Sequence, residues 1–490
     1  LLVRALVAPQ DTVFESLAEV VARARAASRR LAGVAALRHS TAVILASIFT
    51  AFPAVGQVAP GEGLGDTLTL AIADVQRLAI RQNPNFLARR QETAIAEGAL
   101  RQARVYQFNP ELALQSAGGG VGGSARPFEL VLTEEIEWAG QRGLRIGAAR
   151  MGHSRASAVV QDAGRLTLAA ASASFYRALA AERRLSVARD ALVLTDRLMA
   201  AVRTQLAEGE VSTMEANLAE IEAGRARGRV LATRREETST ALDLKELLGL
   251  TPDRPIQLVA DGGGTPVAAG DAPTPPPLLA EDSLVALALA RRPDLTARMA
   301  AVRESEVLTT LARRSAFPNL RLGAVLERGE LDGSPRIGPA IGLSLPLFNR
   351  HQGLVDQRLA LAAQARLDQR ATALRIRADV VEAVRAYRSA SEETAHYEAS
   401  VLRPARDNIA LLEIAYREGK ISLPTLLLLR NQLLDAEFGY WDAWLAQREA
   451  LVRLETATGA RTPSAESLPH LAPDSADRTV PTDSSSWTSP

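Results

Sequence analysis

The sequence contains no cysteine. That excludes a disulfide framework, a thiolate zinc site, an iron–sulfur cluster, a cysteine nucleophile and a lipidated N-terminal cysteine. Aromatic residues make up only 4% of the chain, and 57 Lys and Arg are balanced by 56 Asp and Glu, a net charge of +1. Such balance provides no attractive field for nucleic acid. Histidine is scarce as well: His39, His153, His351, His396 and His470 stand at no metal-ligand spacing, so no bound metal and no cofactor is expected. After residue 56 no segment reaches the ~20 apolar residues that a transmembrane helix needs. What fills the 490 residues instead is Ala, Leu, Arg and Glu. These residues lose little rotamer freedom in a helix, which points to long helices packed side by side.

Residues 1–56 read as an N-terminal extension and an export signal. Thr41 to Val55 is an apolar stretch, TAVILASIFTAFPAV, preceded by Arg38 and His39 and carrying small residues at Ala54 and Gly56. The Arg-rich run before it is longer than the leading region of a signal and reads as a mis-set start. The mature chain is expected to be exported, with strands as its means of entering a membrane.

One internal duplication organises the rest. Asn83-Pro84 recurs as Arg292-Pro293, Phe108-x-Pro110 as Phe317-Pro318, Gly143 as Gly353, Tyr176-Arg177 as Tyr387-Arg388, and Gly249 as Gly459, at a spacing of 209–211 residues. The expected units are a first repeat over 57–250, a Pro/Gly-rich linker over 251–281, a second repeat over 282–461 and a disordered tail over 462–490.

Within each repeat, helical stretches flank a pair of alternating segments, expected near 111–118 and 128–138 in the first copy and near 319–328 and 337–347 in the second. Phe128, Leu130, Leu132, Ile136 and Trp138 alternate with Glu129, Thr133, Glu135 and Glu137. Leu320, Leu322, Ala324 and Leu326 alternate with Arg321, Gly323 and Glu327, and Ile341, Leu343, Leu345 and Leu347 continue the pattern. A period of two gives each strand one face for lipid or core and one for water. On the water side stand Glu129, Thr133, Glu135, Glu137, Arg321 and Glu327, an acidic bias that modestly favours cations. Four strands are too few to close a barrel, so other chains must complete the sheet. Tyr106, Phe108, Trp138, Phe317 and Phe348 fall where strand meets helix, as a ring at one membrane boundary.

Between Pro127 and Pro252 there is no proline. The helical stripe from Gly143 to Gly209 predicts a helix about 100 Å long at ~1.5 Å per residue, enough to cross a compartment. Gly209 stops it and Ser212 or Thr213 caps a return helix to Leu248. The second copy builds the same corner at 418–424, with Pro424 in the first turn of the return helix.

Several motifs have plain readings. GGGVGG, from Gly118, lies between strands with no Lys-Ser or Lys-Thr behind it, and is a turn rather than a phosphate cradle. Ser154 and Ser172 sit in a helical stretch without a nucleophile elbow, so no catalytic residues and no enzyme are expected.

Taken together, LTLAIADVQRLAIRQNP from Leu68, FNPELAL from Phe108, EIEWAGQRGLRIGAAR from Glu135, and the tips EGEVS from Glu208 and EGKIS from Glu418 make the chain resemble the TolC-type outer-membrane efflux factors, and among them the CzcC-like branch of heavy-metal pumps. The resemblance implies a mainly α fold with a β-barrel part: a homotrimer whose 12-strand barrel lies in outer-membrane lipid and continues as an α-helical barrel into the periplasm. It also implies a periplasmic adaptor and an inner-membrane, proton-driven RND pump as partners. Docking would fall to Gly209, Glu210, Val211, Ser212, Gly419, Lys420, Ile421 and Ser422. The other readings are an exit channel for type I protein secretion and a periplasmic helical scaffold without a pore.

Overall fold

In the computed structural model the described residues are 67–116, 128–259, 280–328 and 335–459. The expected export signal, the turns at 118–127 and 329–334, the linker from 260 to 279 and the tail lie outside them.

In each copy, two shorter helices precede the strands. Helix α1 (Ile72–Gln82) ends at Asn83 because Pro84 disfavours helical geometry in the residue before it. Helix α2 (Pro84–Arg104) then restarts with proline at its first position. Asn83 joins several elements: its Oδ1 accepts from the Phe86 N–H at 2.8 Å and its Nδ2 donates to the Leu247 carbonyl at 2.8 Å. In the second copy the counterparts are α5 (Glu281–Arg291) and α6 (Pro293–Arg314). There Arg292 replaces the asparagine and pairs with Asp294 at 2.7 Å and Asp379 at 2.8 Å. Burial opposes the Arg292 charge, yet the two carboxylates raise its pKa above the ordinary value.

Four strands form one antiparallel sheet in the order β2 (Glu111–Ser116), β3 (Phe128–Ile136), β5 (Leu320–Arg328), β6 (Pro335–Leu343). The β3–β5 pairing is the seam between the two copies. The second strand of each copy stops short of its expected end, at Ile136 and Leu343, leaving Trp138, Leu345 and Leu347 in the connection to the following helix. A further pair lies outside this sheet: β1 (Leu68–Leu70) runs parallel to β4 (Ile256–Leu258). The first residues of the Pro/Gly-rich linker expected over 251–281 thus include a short strand. Ile256 and Leu258 are apolar and pack against the cluster around Phe175, which gives this short segment a reason to pair.

From the sheet, the chain enters α3 (Gln141–Ala207), a single helix of 67 residues, and returns along α4 (Thr213–Leu247). At ~1.5 Å per residue α3 is about 100 Å long. Alanine is the commonest residue at its buried positions, as at Ala171, Ala178, Ala180, Ala181 and Ala188, which lets neighbouring helices approach closely. The second copy differs. Helix α7 (Gln352–His396) passes into a π-helical turn over Tyr397–Leu402, followed by α8 (Arg403–Arg417) and the return helix α9 (Leu423–Thr458).

Contacts place α2, α3, α6 and α7 side by side next to the sheet, and α4, α3, α9 and α7 side by side beyond it. Each copy has its own core. Phe175, Leu70, Val75, Leu244 and Leu248 centre the first; Ile376, Val380, Val384, Leu284 and Leu454 centre the second. Gly249 and Gly459 close the two copies with positive φ of 65° each. At Gly249 a side chain is impossible, since a Cβ would stand 2.6 Å from the Gln82 carbonyl.

Candidate channel wall and docking tips

The register divides the sheet into two faces. Because directly opposed residues share a face, one side carries Leu112 and Leu114, Leu130, Leu132 and Ile136, Leu320, Leu322 and Leu326, and Ile337, Ile341 and Leu343. Much of that side is bare: Leu114 is 68% exposed, Ile337 81% and Ile341 73%. The opposite side carries Glu129 facing Glu327, Glu327 facing Arg336, Glu135 facing Arg321, and Thr133 facing Gly323. The expected water-side residues Glu129, Thr133, Glu135, Arg321 and Glu327 are thus brought onto one face. Glu134 and Arg328 break the pattern, each lying with the apolar set. The outer edges of β2 and β6 have no partner strand among the described residues. A bare apolar face with two open edges needs other chains in a membrane, where unpaired backbone groups cost several kcal/mol each.

Glu137 departs from its expected place on the wet face. It follows the end of β3, and its carboxylate is buried in a bidentate pair with Arg145, at 2.7 and 3.0 Å. Arg145 extends from the first turn of α3 and also reaches Gln107 Oε1. The pair ties the strand end to the helix start. Neighbouring bonds do the same: Asn319 Nδ2 donates to Glu135 at 2.7 Å, and buried Gln141 donates to the Phe317 carbonyl and to Asn319 Oδ1. Gln141 and Arg145 had no role assigned from sequence, because their partners are remote or lie across a turn.

All five of the expected boundary aromatics lie at the helix end of the sheet. Trp138 meets Phe317 edge to face at 6.1 Å and donates its indole N–H to the Pro318 carbonyl at 2.7 Å. Tyr106 donates its hydroxyl to the Glu135 carbonyl at 3.0 Å. Phe108 lines the recess around Gln141 and Arg321, and Phe348 is 92% exposed. The amphipathic rings of Tyr106 and Trp138 suit the boundary between hydrocarbon and water.

At the far end of the helices, the two corners lie together. Gly209 (φ 78°) and Gly419 (φ 68°) take left-handed geometry, and the next N–H groups close back on Gln205 and Ala415 carbonyls at 2.8 Å. Ser212 caps α4 reciprocally with Glu215. Hydrogen bonds from the Ser212 backbone and hydroxyl hold the Glu215 pKa below its ordinary value. In the second corner Ser422 Oγ meets Thr425 Oγ1 at 2.9 Å, and Lys420 pairs with Glu418. Leu423 and Leu427 of α9 pack on Met199, Val202, Ala219 and Ala223 of the first hairpin, with Val211 at the rim. Tyr416 donates its hydroxyl to Gln205 Oε1 at 3.3 Å. Burial first, then the Glu215 charge, raises the Tyr416 pKa. Glu210, Ser212, Gly419, Lys420 and Ser422 are exposed, as are Met214 and Pro424 beside them.

No helix among the described residues is long and apolar enough to cross a membrane. No group of three or more His, Asp or Glu placed to hold a metal occurs among them.

Comparison with known proteins agrees with this geometry. Residues 284–460 match the outer membrane efflux protein family. The cobalt-zinc-cadmium resistance protein CzcC of Cupriavidus metallidurans is 24% identical over 384 residues, 78% of this chain and 88% of that one. The pyoverdine export outer membrane protein OpmQ of Pseudomonas putida is 30% identical over 178 residues, 35% of this chain and 38% of that one. The outer membrane channel CmeC of Campylobacter jejuni shares the fold with a TM-score of 0.66 at 16% identity, over 82% of this chain and 89% of that one. Residues 284–460 are thus similar to the outer membrane efflux protein family, and the chain shares the fold of the CmeC outer membrane channel.

Proposed function

We propose that the chain is the exit duct of a tripartite efflux assembly: a passive trimeric channel that lies in the outer membrane, reaches into the periplasm and makes or breaks no bonds. The observation that carries this reading is the sheet, with a bare apolar face, a charged opposite face and two open edges. Three such sheets joined edge to edge make a 12-strand barrel, and the side-by-side helices below continue it as a tunnel. The same face argues against a periplasmic scaffold without a pore, which has no use for exposed Leu114, Ile337 and Ile341.

Cargo enters from an inner-membrane RND pump through a periplasmic adaptor. The adaptor's seat is the pair of tips at Gly209, Glu210, Val211 and Ser212 and at Gly419, Lys420, Ile421 and Ser422. The exposure of most of them and their common position at one end of the hairpins support that role. The resting duct is closed at this end and opens when adaptor and pump bind the open state better. The cargo is heavy-metal cations or small toxic compounds. A relative that confers cobalt, zinc and cadmium resistance supports the first, and the excess of Glu over Arg on the polar face agrees with it. One named for pyoverdine export supports a small organic cargo over a secreted protein.

The test is to separate inner and outer membranes, extract the protein in mild detergent and measure its detergent-corrected mass. Outer-membrane location with a mass of three chains, and metal or drug accumulation on deletion, is the expected result. A soluble monomer overturns the duct.

A further inference from the structure

We propose that the π-helical turn Tyr397–Leu402 is a hinge, built by Pro404, about which α8 moves against α9 while the hairpin of the first copy stays rigid. Its cause is local. Proline has no N–H to give and its ring collides with the carbonyl four residues back, here that of Ser400. The chain answers by widening one turn: the Arg403 N–H donates to the Glu398 carbonyl, five residues back instead of four. At the repeat spacing Leu194 stands where Pro404 does, and α3 runs through that level unbroken.

Packing on either side of the turn differs accordingly. Below it, α9 is anchored, because Leu423 and Leu427 are buried against the first hairpin. Helix α8 is not: none of its described side chains is buried, and it packs against α9 and the π turn, while Tyr416 bonds to Gln205 of α3. An open groove of about 500 Å³ separates it from α9, lined by Val401, Leu411, Leu412, Leu429 and Leu433. At the turn itself the Tyr397 ring lies directly on Gly439 of α9, where a Cβ would come within 2.9 Å. Glycine thus gives the widened turn its room. A helix that is fastened at a widened turn, separated from its neighbour by an open groove and joined to a tip is free to swing as one piece. Its swing shifts the Lys420 corner relative to the Glu210 corner.

This device rests on the duct reading for its purpose, which is opening, but not for its detection. The chain has no native cysteine, so Arg203→Cys on α3 and Glu418→Cys after α8 can be spin-labelled cleanly. The distance between them is measured in the assembled protein, with labelled chains diluted by unlabelled ones. Two distance populations are expected for the otherwise unaltered chain. Pro404→Ala, which restores the donor and removes the collision, should abolish the second population, and in planar bilayers should abolish the opening transitions. Gly439→Ala, which leaves Pro404 in place but presses on Tyr397, should change the ratio of the two populations at least twofold. It keeps the test decisive even when Pro404→Ala accumulates poorly. One narrow population in the unaltered chain, or identical distributions in all three proteins, overturns the hinge. Two populations that respond to Pro404→Ala in a protein that forms no pore would overturn the duct and leave the hinge standing.

Discussion

Thr133 and Gly323 face each other across the seam where the two copies pair, and a Cβ at position 323 would fall 2.2 Å from the Leu132 carbonyl. The seam is held by backbone pairing that a methyl group there would push apart. Gly323→Ala should therefore separate β3 from β5 and abolish stable assembly. Outer-membrane yield of folded protein measures this, and full yield with an unchanged melting temperature would contradict it.

Side-chain alternation gives neighbouring residues opposite fates. Leu114 lies on the bare apolar face and Gln115 on the charged one. Leu114→Arg should cost ~2–4 kcal/mol where it meets the middle of the bilayer and sharply lower membrane assembly. Gln115→Arg should assemble at the original level. Equal yields of the two variants, compared by heat-modifiability and membrane fractionation, would remove the membrane assignment of that face.

The Glu137–Arg145 pair is mostly sequestered from water, with the carboxylate 6% and the guanidinium 24% exposed. Breaking such a pair leaves a buried charge alone, at a cost of about 3 kcal/mol. Arg145→Ala should lower thermal stability accordingly, and Glu137→Gln combined with Arg145→Ala should recover part of the loss. Thermal unfolding in detergent by circular dichroism reads both.

Charge on the polar face bears on conduction. Glu129 faces Glu327, and Glu327 faces Arg336, so neutralising the two carboxylates leaves the arginine in excess at that level. Glu129→Gln with Glu327→Gln should shift the reversal potential in a salt gradient toward anion preference. An unchanged potential would show that this level of the wall does not set selectivity.

Glu215 stabilises the first corner through its bonds with Ser212, which hold its pKa below the ordinary 4.5. A group whose folded-state pKa is lowered contributes stability above its unfolded value and loses it as pH falls through the folded one. Proteolytic nicking near residues 208–215 should thus be slow at pH 6 and faster as the pH drops well below 4.5. Ser212→Ala should allow nicking at pH 6 already. A pH-independent nicking rate would exclude this role for the cap.

Much of the architecture is local, and local features are legible without coordinates. The absence of proline over 128–251 permits α3 its 67 residues, the alternation at Leu130, Leu132 and Leu326 marks strands with two unlike faces, and Gly209 and Gly419 mark the corners. Pro404 was equally visible, yet its outcome was not. A proline inside a helical pattern can kink, end or widen the helix, and which occurs depends on whether a neighbour leaves room, as Gly439 does.

What the sequence determined by itself is the kind of element at each place and the face each residue takes on it, because side-chain period and backbone propensity act over a few neighbours. What only the tertiary structure decided is which elements meet. The pairing of β3 with β5, the parallel β1–β4 pair, the burial of Glu137 under Arg145 and the reach of Trp138 to Pro318 all join residues through backbone bonds or charges. A period of two is satisfied by any register of the same parity, and backbone donors and acceptors are alike along every strand. Only the packing of the helices against one another selects a single pairing.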